Sequence, residues 1–171
     1  MDRLWAPWRM AYILSGEEHA DVCIFCKFPS EKELHREHQI LCANDRVFAI
    51  MNKFPYNNGH VMVVPRAHVD DPAKLSAEDY AATTELLRSA TTAIRAALSP
   101  HAFNIGMNLG RVAGAGIDQH CHYHIVPRWN GDTNFMPVIG DVKVLSEHVA
   151  GTYERLLPHF ATLLGDRGGA R

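Results

Sequence analysis

The chain has 171 residues, 47% of them hydrophobic, and none of its apolar runs reaches the roughly 20 residues that a membrane-spanning helix needs. Such a length predicts one compact domain that buries about 70% of its unfolded surface. Its 17 Lys and Arg against 19 Asp and Glu leave a formal charge of −2, which attracts no polyanion in general and disfavours a nucleic-acid binder.

Residues 1–22 carry Trp5, Pro7, Trp8 and Tyr12 without clean periodicity. They read as an arm with a short helix that packs on the body or on a partner subunit, because so many large aromatics need a docking surface. Charges and tryptophans stand where a signal region would be apolar, which predicts cytoplasmic residence. In that compartment Cys23-Ile24-Phe25-Cys26 reads as a metal half-site or a redox pair rather than a structural disulfide, and zinc there would need two further ligands. Cys42 and Cys121 read as small buried hydrophobes. The charged residues 27–38 predict a surface excursion.

Residues 39–43 and 47–51 flank the turn-forming Asn44-Asp45-Arg46 and predict two antiparallel strands. A loop with Pro55, Asn57, Asn58 and Gly59 leads to a third strand, His60 to Val64, ended by Pro65. Ser76 is the expected cap of a long helix, with Asp79 at the capping-box position. Leu86, Leu87, Ala90, Ile94 and Leu98 recur at helical spacing until Ser99-Pro100. Residues 102–108 alternate as a fourth strand. The loop Gly110 to Gly116 then either joins two strands or lets glycine N–H groups approach phosphate oxygens. Gln119 to Val126 predicts the fifth strand. Leu145 to Leu164 predicts a terminal helix interrupted near Gly151 and Pro158, so that 23–165 forms the domain and 166–171 a frayed tail.

In the fifth strand, His120-Cys121-His122-Tyr123-His124 alternates, which would set all three imidazoles on one face. With about 6.6 Å between alternate Cα atoms, His120 and His124 would lie roughly 13 Å apart, so one ion held by all three would be strained. A neutral imidazole is a competent nucleophile toward phosphorus, and its neighbours can donate to phosphate oxygens. His122, in the centre, is placed for attack. A merely polar, His-rich face is the alternative, although Val, Thr or Ser would suit a strand better. Lys53, Arg111, Arg128 and Lys143 flank these segments as local positive charges or plain solvated side chains.

The triad with its apolar continuation Ile125-Val126 resembles the motif of the histidine-triad (HIT) nucleotide-binding superfamily. Met51 to Pro65 is similar to that family's nucleoside-binding strand–loop–strand. Arg3 to Ile13 and Gly131-Asp132-Thr133-Asn134-Phe135 resemble the diadenosine tetraphosphate phosphorylase branch. The resemblance implies an α+β fold: a five-stranded antiparallel sheet with a long helix and a C-terminal helix on one face, forming a homodimer. It implies cleavage of the α–β phosphoanhydride of a dinucleoside polyphosphate through a covalent nucleotidyl-His122, with phosphate or water as acceptor. His124 would hydrogen-bond phosphate or the leaving group, Asn52 the ribose, and Asn108, Gly114 and Gly116 the phosphates, while Phe48 and Ile50 line the base slot. It also completes the zinc set as Cys23, Cys26, His68 and His120, a structural cross-link away from a catalysis that itself needs no metal. Zinc and phosphate would then compete for His120. Ile117 and Gly116 stand where hydrolytic branches often place Ser or Gln, and the preceding loop is about one residue longer than in the phosphoramidase branch. Both departures favour dinucleoside polyphosphates over phosphoramidates. Purine nucleoside phosphoramidate hydrolysis, a non-catalytic nucleotide sensor and a metal-dependent hydrolase are the rival readings.

Overall fold

Five apolar residues in a row, Val47–Met51, are buried along their whole length, as a strand covered on both faces requires. The computed structural model describes residues 22–132 and 147–164. In it, β1 (Ile40–Ala43), β2 (Val47–Met51), β3 (Val61–Pro65), β4 (Ala102–Met107) and β5 (Tyr123–Arg128) form one antiparallel sheet in the order β1-β2-β3-β5-β4. The predicted hairpin is present, its turn closed by Asn44 Oδ1, which accepts the N–H groups of Arg46 and Val47 at 2.9 Å each. The arm, residues 133–135 of the Gly131 to Phe135 segment, Lys143 and the 166–171 tail lie outside the described residues, apart from Val22.

Side-chain alternation gives the sheet two different faces. Val47, Ala49, Met51, Val61, Val63 and Ile125 pack against Leu86, Ala90 and Ile94 of α2 (Ala77–Leu98) and Leu156 and Phe160 of α3 (Val149–Phe160). Phe48, Ile50, Met62 and Val64 point the other way and meet Phe25 from the four-residue helix α1 (Ile24–Lys27). Both long helices therefore back one face, as expected, and the opposite face is covered in part by Phe25. Ser76 caps α2 by accepting the N–H of Asp79 at 3.0 Å. Asp79 is too short to complete the reciprocal box; its carboxylate instead takes the Ser76 hydroxyl at 2.7 Å and Arg46 at 2.8 Å. Ser99 ends the helix in a left-handed conformation at φ +47°.

Two expectations are corrected. The terminal helix runs without interruption through Gly151 and Pro158. Gly151 lies in the first turn, and Pro158, two residues before the end, costs a single helical bond where little helix remains to be bent. His148 caps the helix, so it begins later than the expected Leu145, which lies outside the described residues. The fifth strand begins at Tyr123, not Gln119, and runs on to Arg128, so His120 and His122 precede it. Pairing with β3 covers only Val61–Val63, and Pro65 has no N–H with which to extend the ladder. Pro127 is tolerated inside β5 because it lies past the end of that pairing, where its carbonyl accepts the Asn57 side chain at 3.0 Å.

Gly59 joins the 55–59 loop to β3 at φ +72°, where a Cβ would stand 2.5 Å from Leu98 Cδ1 and 3.3 Å from Pro127 Cγ. Gly59→Ala is expected to destabilise the fold by about 2 kcal/mol, from left-handed strain plus the Leu98 clash. The check is a lower denaturant midpoint at unchanged slope.

Candidate active site

Where β3 stops, the Pro65 carbonyl accepts the Nε2–H of His120 at 2.8 Å. That bond leaves Nδ1 of His120 unprotonated and facing the sulfurs of Cys23 at 3.5 Å and Cys26 at 3.7 Å, with His68 Nδ1 3.2 Å from Cys26. All four donor atoms lie within 4.8 Å of one another. A tetrahedral zinc with bonds of about 2.3 Å to sulfur and 2.05 Å to nitrogen holds such S···N pairs about 3.6 Å apart. The donors thus fit zinc in chemistry and in spacing, and Pro65 supplies the outer hydrogen bond that orients a ligating imidazole. Burial pushes the His120 pKa down to about 4, which keeps the ring neutral for ligation.

His122 is 4% exposed, and its Nδ1 lies 2.9 Å from the carbonyl of His120. Only a proton on Nδ1 can serve that acceptor, so Nε2 carries the lone pair. Burial lowers the pKa of this ring as well, so the lone pair stays available. The ring is wedged edge-on between Phe25, centroids 5.0 Å apart, and His124, 4.8 Å apart. Phe25 also meets His120 at 5.5 Å, so the residue between the two CxxC cysteines buttresses both the Cys2His2 cluster and the candidate nucleophile.

A second proton assignment follows from His60, which is fully buried. Its Nδ1 accepts the backbone N–H of Tyr56 at 3.0 Å, so the proton sits on Nε2, 2.9 Å from Nδ1 of His124. His124 therefore accepts at Nδ1 and carries its own proton on Nε2. Two neighbouring imidazoles thus hold opposite tautomers: a lone pair at Nε2 of His122 and an N–H at Nε2 of His124. The sequence marks His60 only as the start of a strand, yet its parity with Met62 and Val64, and the register Met62↔His124, place it on the histidine face.

The remaining candidates divide. Asn52 sits half-buried beside this cluster, its Oδ1 accepting the N–H of Phe54 at 2.9 Å and its Nδ2 3.4 Å from His60 Nδ1. Phe48 and Ile50 are 0% and 4% exposed, and Phe48 meets the edge of Phe25 at 6.2 Å, so both lie beneath the cluster within the second core. Asn108 directly follows β4, half-buried. Gly114, at φ +94°, closes a 3-10 turn at Arg111–Ala113 that the Arg111–Asp118 ion pair holds at 2.8 Å, and Gly116 is exposed on the way back to His120. Among the described residues, an open crevice beside this loop is lined by His68, Lys74, Gly110 and Gln119, on the side of the Cys2His2 cluster.

A helix-backed antiparallel sheet whose opposite face carries a histidine cluster with a defined lone pair, next to a Cys2His2 cluster, is the architecture of a histidine-triad protein. The HIT domain model matches residues 33–131, and the chain belongs to that family. It is 34% identical over 166 residues to the AP-4-A phosphorylase of Mycobacterium tuberculosis, spanning 94% of this chain and 85% of that one. An adenosine 5′-monophosphoramidase of Schizosaccharomyces pombe is 32% identical over 113 residues, 63% of this chain and 75% of its own length. In fold the chain is similar to a Zn-bound histidine triad family protein from Mycobacterium smegmatis, with a TM-score of 0.65 at 24% identity over 82% of this chain and 94% of that one. Among the described residues no helix is long and apolar enough to cross a membrane.

Proposed function

We propose that the protein cleaves the α–β phosphoanhydride of dinucleoside polyphosphates such as diadenosine tetraphosphate, through a covalent nucleotidyl-His122. The carrying observation is the hydrogen bond from His122 Nδ1–H to the His120 carbonyl, which leaves Nε2 free to attack. The Nε2–P bond forms as the bond to the bridging oxygen breaks, and the electron pair departs on that oxygen with the leaving nucleotide. His122 becomes cationic at this point, and its Nδ1–H bond to the His120 carbonyl strengthens with the charge. The Nε2–H of His124 hydrogen-bonds the phosphate or leaving oxygens without giving up its proton, and Asn52 takes the ribose. Phosphate or water then attacks the α-phosphorus, forming a new P–O bond as the Nε2–P bond breaks, and that electron pair returns to Nε2 and restores the neutral imidazole. Bound at Cys23, Cys26, His68 and His120, zinc would supply a structural cross-link. Likeness to the mycobacterial phosphorylase over nearly the whole chain supports this substrate class and phosphate as acceptor.

Incubation with diadenosine tetraphosphate, with and without inorganic phosphate, tests the reading. ADP plus ATP formed only with phosphate means phosphorolysis, AMP plus ATP means hydrolysis, and no cleavage in either case overturns it. The similarity to the monophosphoramidase favours a second substrate, adenosine 5′-monophosphoramidate, which belongs in the same assay.

We place the protein in the cytoplasm as a homodimer joined through β4. The outer edge of β4 pairs with no strand among the described residues, and Ile105 on it and Leu109 and Val112 just beyond its end are exposed large hydrophobics. Ile105→Asp is expected to convert a dimer into a monomer in sedimentation velocity. A wild-type chain that sediments as a monomer at micromolar concentration overturns the assignment.

A further inference from the structure

The tautomer of His60, and through it that of His124, is set chiefly by one backbone donor, the N–H of Tyr56. The Asn52 amide, 3.4 Å from the same nitrogen, is the longer and weaker contact. Tyr56 belongs to the 55–59 loop, and this loop is anchored on the Tyr56 side by Asn57. The two N–H bonds of the Asn57 amide are both used, one on the Pro127 carbonyl at 3.0 Å and one on Asp132 Oδ2 at 2.7 Å. Asp132 is itself held: Arg128 grips it with two parallel bonds of 2.7 and 2.8 Å, and the N–H of Trp129 reaches Oδ2 at 3.1 Å. Arg128 in turn is braced by Asn104 of β4 at 3.0 Å. The turn that follows β5 thus carries a held acceptor aimed at the loop that dictates proton placement on His124, a residue of that strand.

We infer that Asn57 and Asp132 are positioning residues: their hydrogen bond holds the Tyr56 N–H on His60 and so selects the His124 tautomer that presents Nε2–H. Neither touches the reacting atoms. A loop freed at Asn57 would let the Tyr56 N–H leave Nδ1 of His60. His60 could then carry its proton on either nitrogen, and His124 would follow. A donor would be replaced, part of the time, by a lone pair facing the phosphate oxygens, which repels where the native tautomer attracts.

The kinetic half of this inference rests on the proposed function; the structural half does not. The test uses the full chain labelled with 15N-histidine, free of substrate, at a pH where the imidazoles are neutral. In the wild type, His124 should show a pyridine-type Nδ1 and a pyrrole-type Nε2. In Asn57→Ala, which leaves the Asp132–Arg128 pair intact, the two His124 nitrogen shifts should converge toward an average while those of His122 stay apart. With diadenosine tetraphosphate, kcat should fall roughly 10- to 100-fold with KM changed less than about threefold, the pattern of an interaction lost in the transition state. Asp132→Asn, which turns one of the two acceptor oxygens into a donor facing Arg128 and so loosens the anchor, should move the spectrum the same way, and it serves if Asn57→Ala fails to fold. Wild-type His124 shifts in a folded Asn57→Ala protein overturn the clamp. Converged shifts with unchanged kcat overturn its part in turnover. If the wild type cleaves no dinucleotide at all, the proposed function fails while the spectra still decide the clamp.

Discussion

His122→Ala is expected to abolish covalent labelling of the protein by a nucleotide carrying radioactive α-phosphate, and to lower kcat for diadenosine tetraphosphate by on the order of 10⁴-fold or more. The size follows from what the side chain supplies. Its Nε2 lone pair is the one whose availability the local hydrogen bonds guarantee, because the neighbouring His124 presents a proton at the same position and His120 turns its free nitrogen to the cysteines. No second imidazole can replace it without rearranging three hydrogen bonds. A variant with Gly at this position gives a sharper version, since it leaves a ring-sized gap bounded by Phe25 and His124. Added imidazole should enter that gap and restore part of the turnover without restoring the protein-bound label. Undiminished labelling of the Ala variant would place the covalent bond elsewhere and remove His122 from the mechanism.

Much of this architecture is legible in the residues because local rules decide it. Asn44-Asp45-Arg46 favours a turn, Ser76 a cap and Ser99-Pro100 a helix stop, so the hairpin and the long helix appear where expected. Site geometry is less legible because it depends on what an element meets across the sheet. Alternation alone would align three imidazoles on one strand. Instead Pro65 ends the ladder, Cys121 N–H bonds the Val69 carbonyl at 2.6 Å outside any strand, and His120 turns to the cysteines. The His60–His124 bond spans 64 positions and follows from the register of β3 on β5, which no local pattern encodes. Parity would have indicated the face of His60, since Met62 and Val64 follow it at spacings of two, but not its partner. Phe48 and Ile50 show the same limit. Their apolar character signals burial, which a base slot and a core have in common, and the packing of Phe25 on this cluster depends on a contact that no local pattern encodes.

The purified protein is expected to carry one zinc per chain, and stripping it should lower the melting temperature by roughly 8–16 °C. That range takes zinc at about 1,000 times its dissociation constant, which stabilises by about 4.1 kcal/mol, and a conversion of about 2–4 °C per kcal/mol for a chain of this size. The fold should survive the loss, because the main core between sheet and helices contains none of the four ligands. The cost falls instead on the second core, where Phe25 is held in place by the two cysteines that flank it. Cys26→Ser should lose both the zinc and the thermal increment. Cys42→Ser, a change at a thiol remote from the cluster, should keep the metal even if it weakens the sheet. Turnover provides the decisive contrast. If zinc acts only as a cross-link, metal-free protein that is still folded at low temperature should turn over at a reduced rate, because His120 keeps its bond to Pro65 and its carbonyl still holds the Nδ1–H of His122. Complete loss of activity in folded, metal-free protein would move the ion from architecture into chemistry. A melting curve indifferent to chelation would leave Cys23 and Cys26 as a thiol pair without a metal.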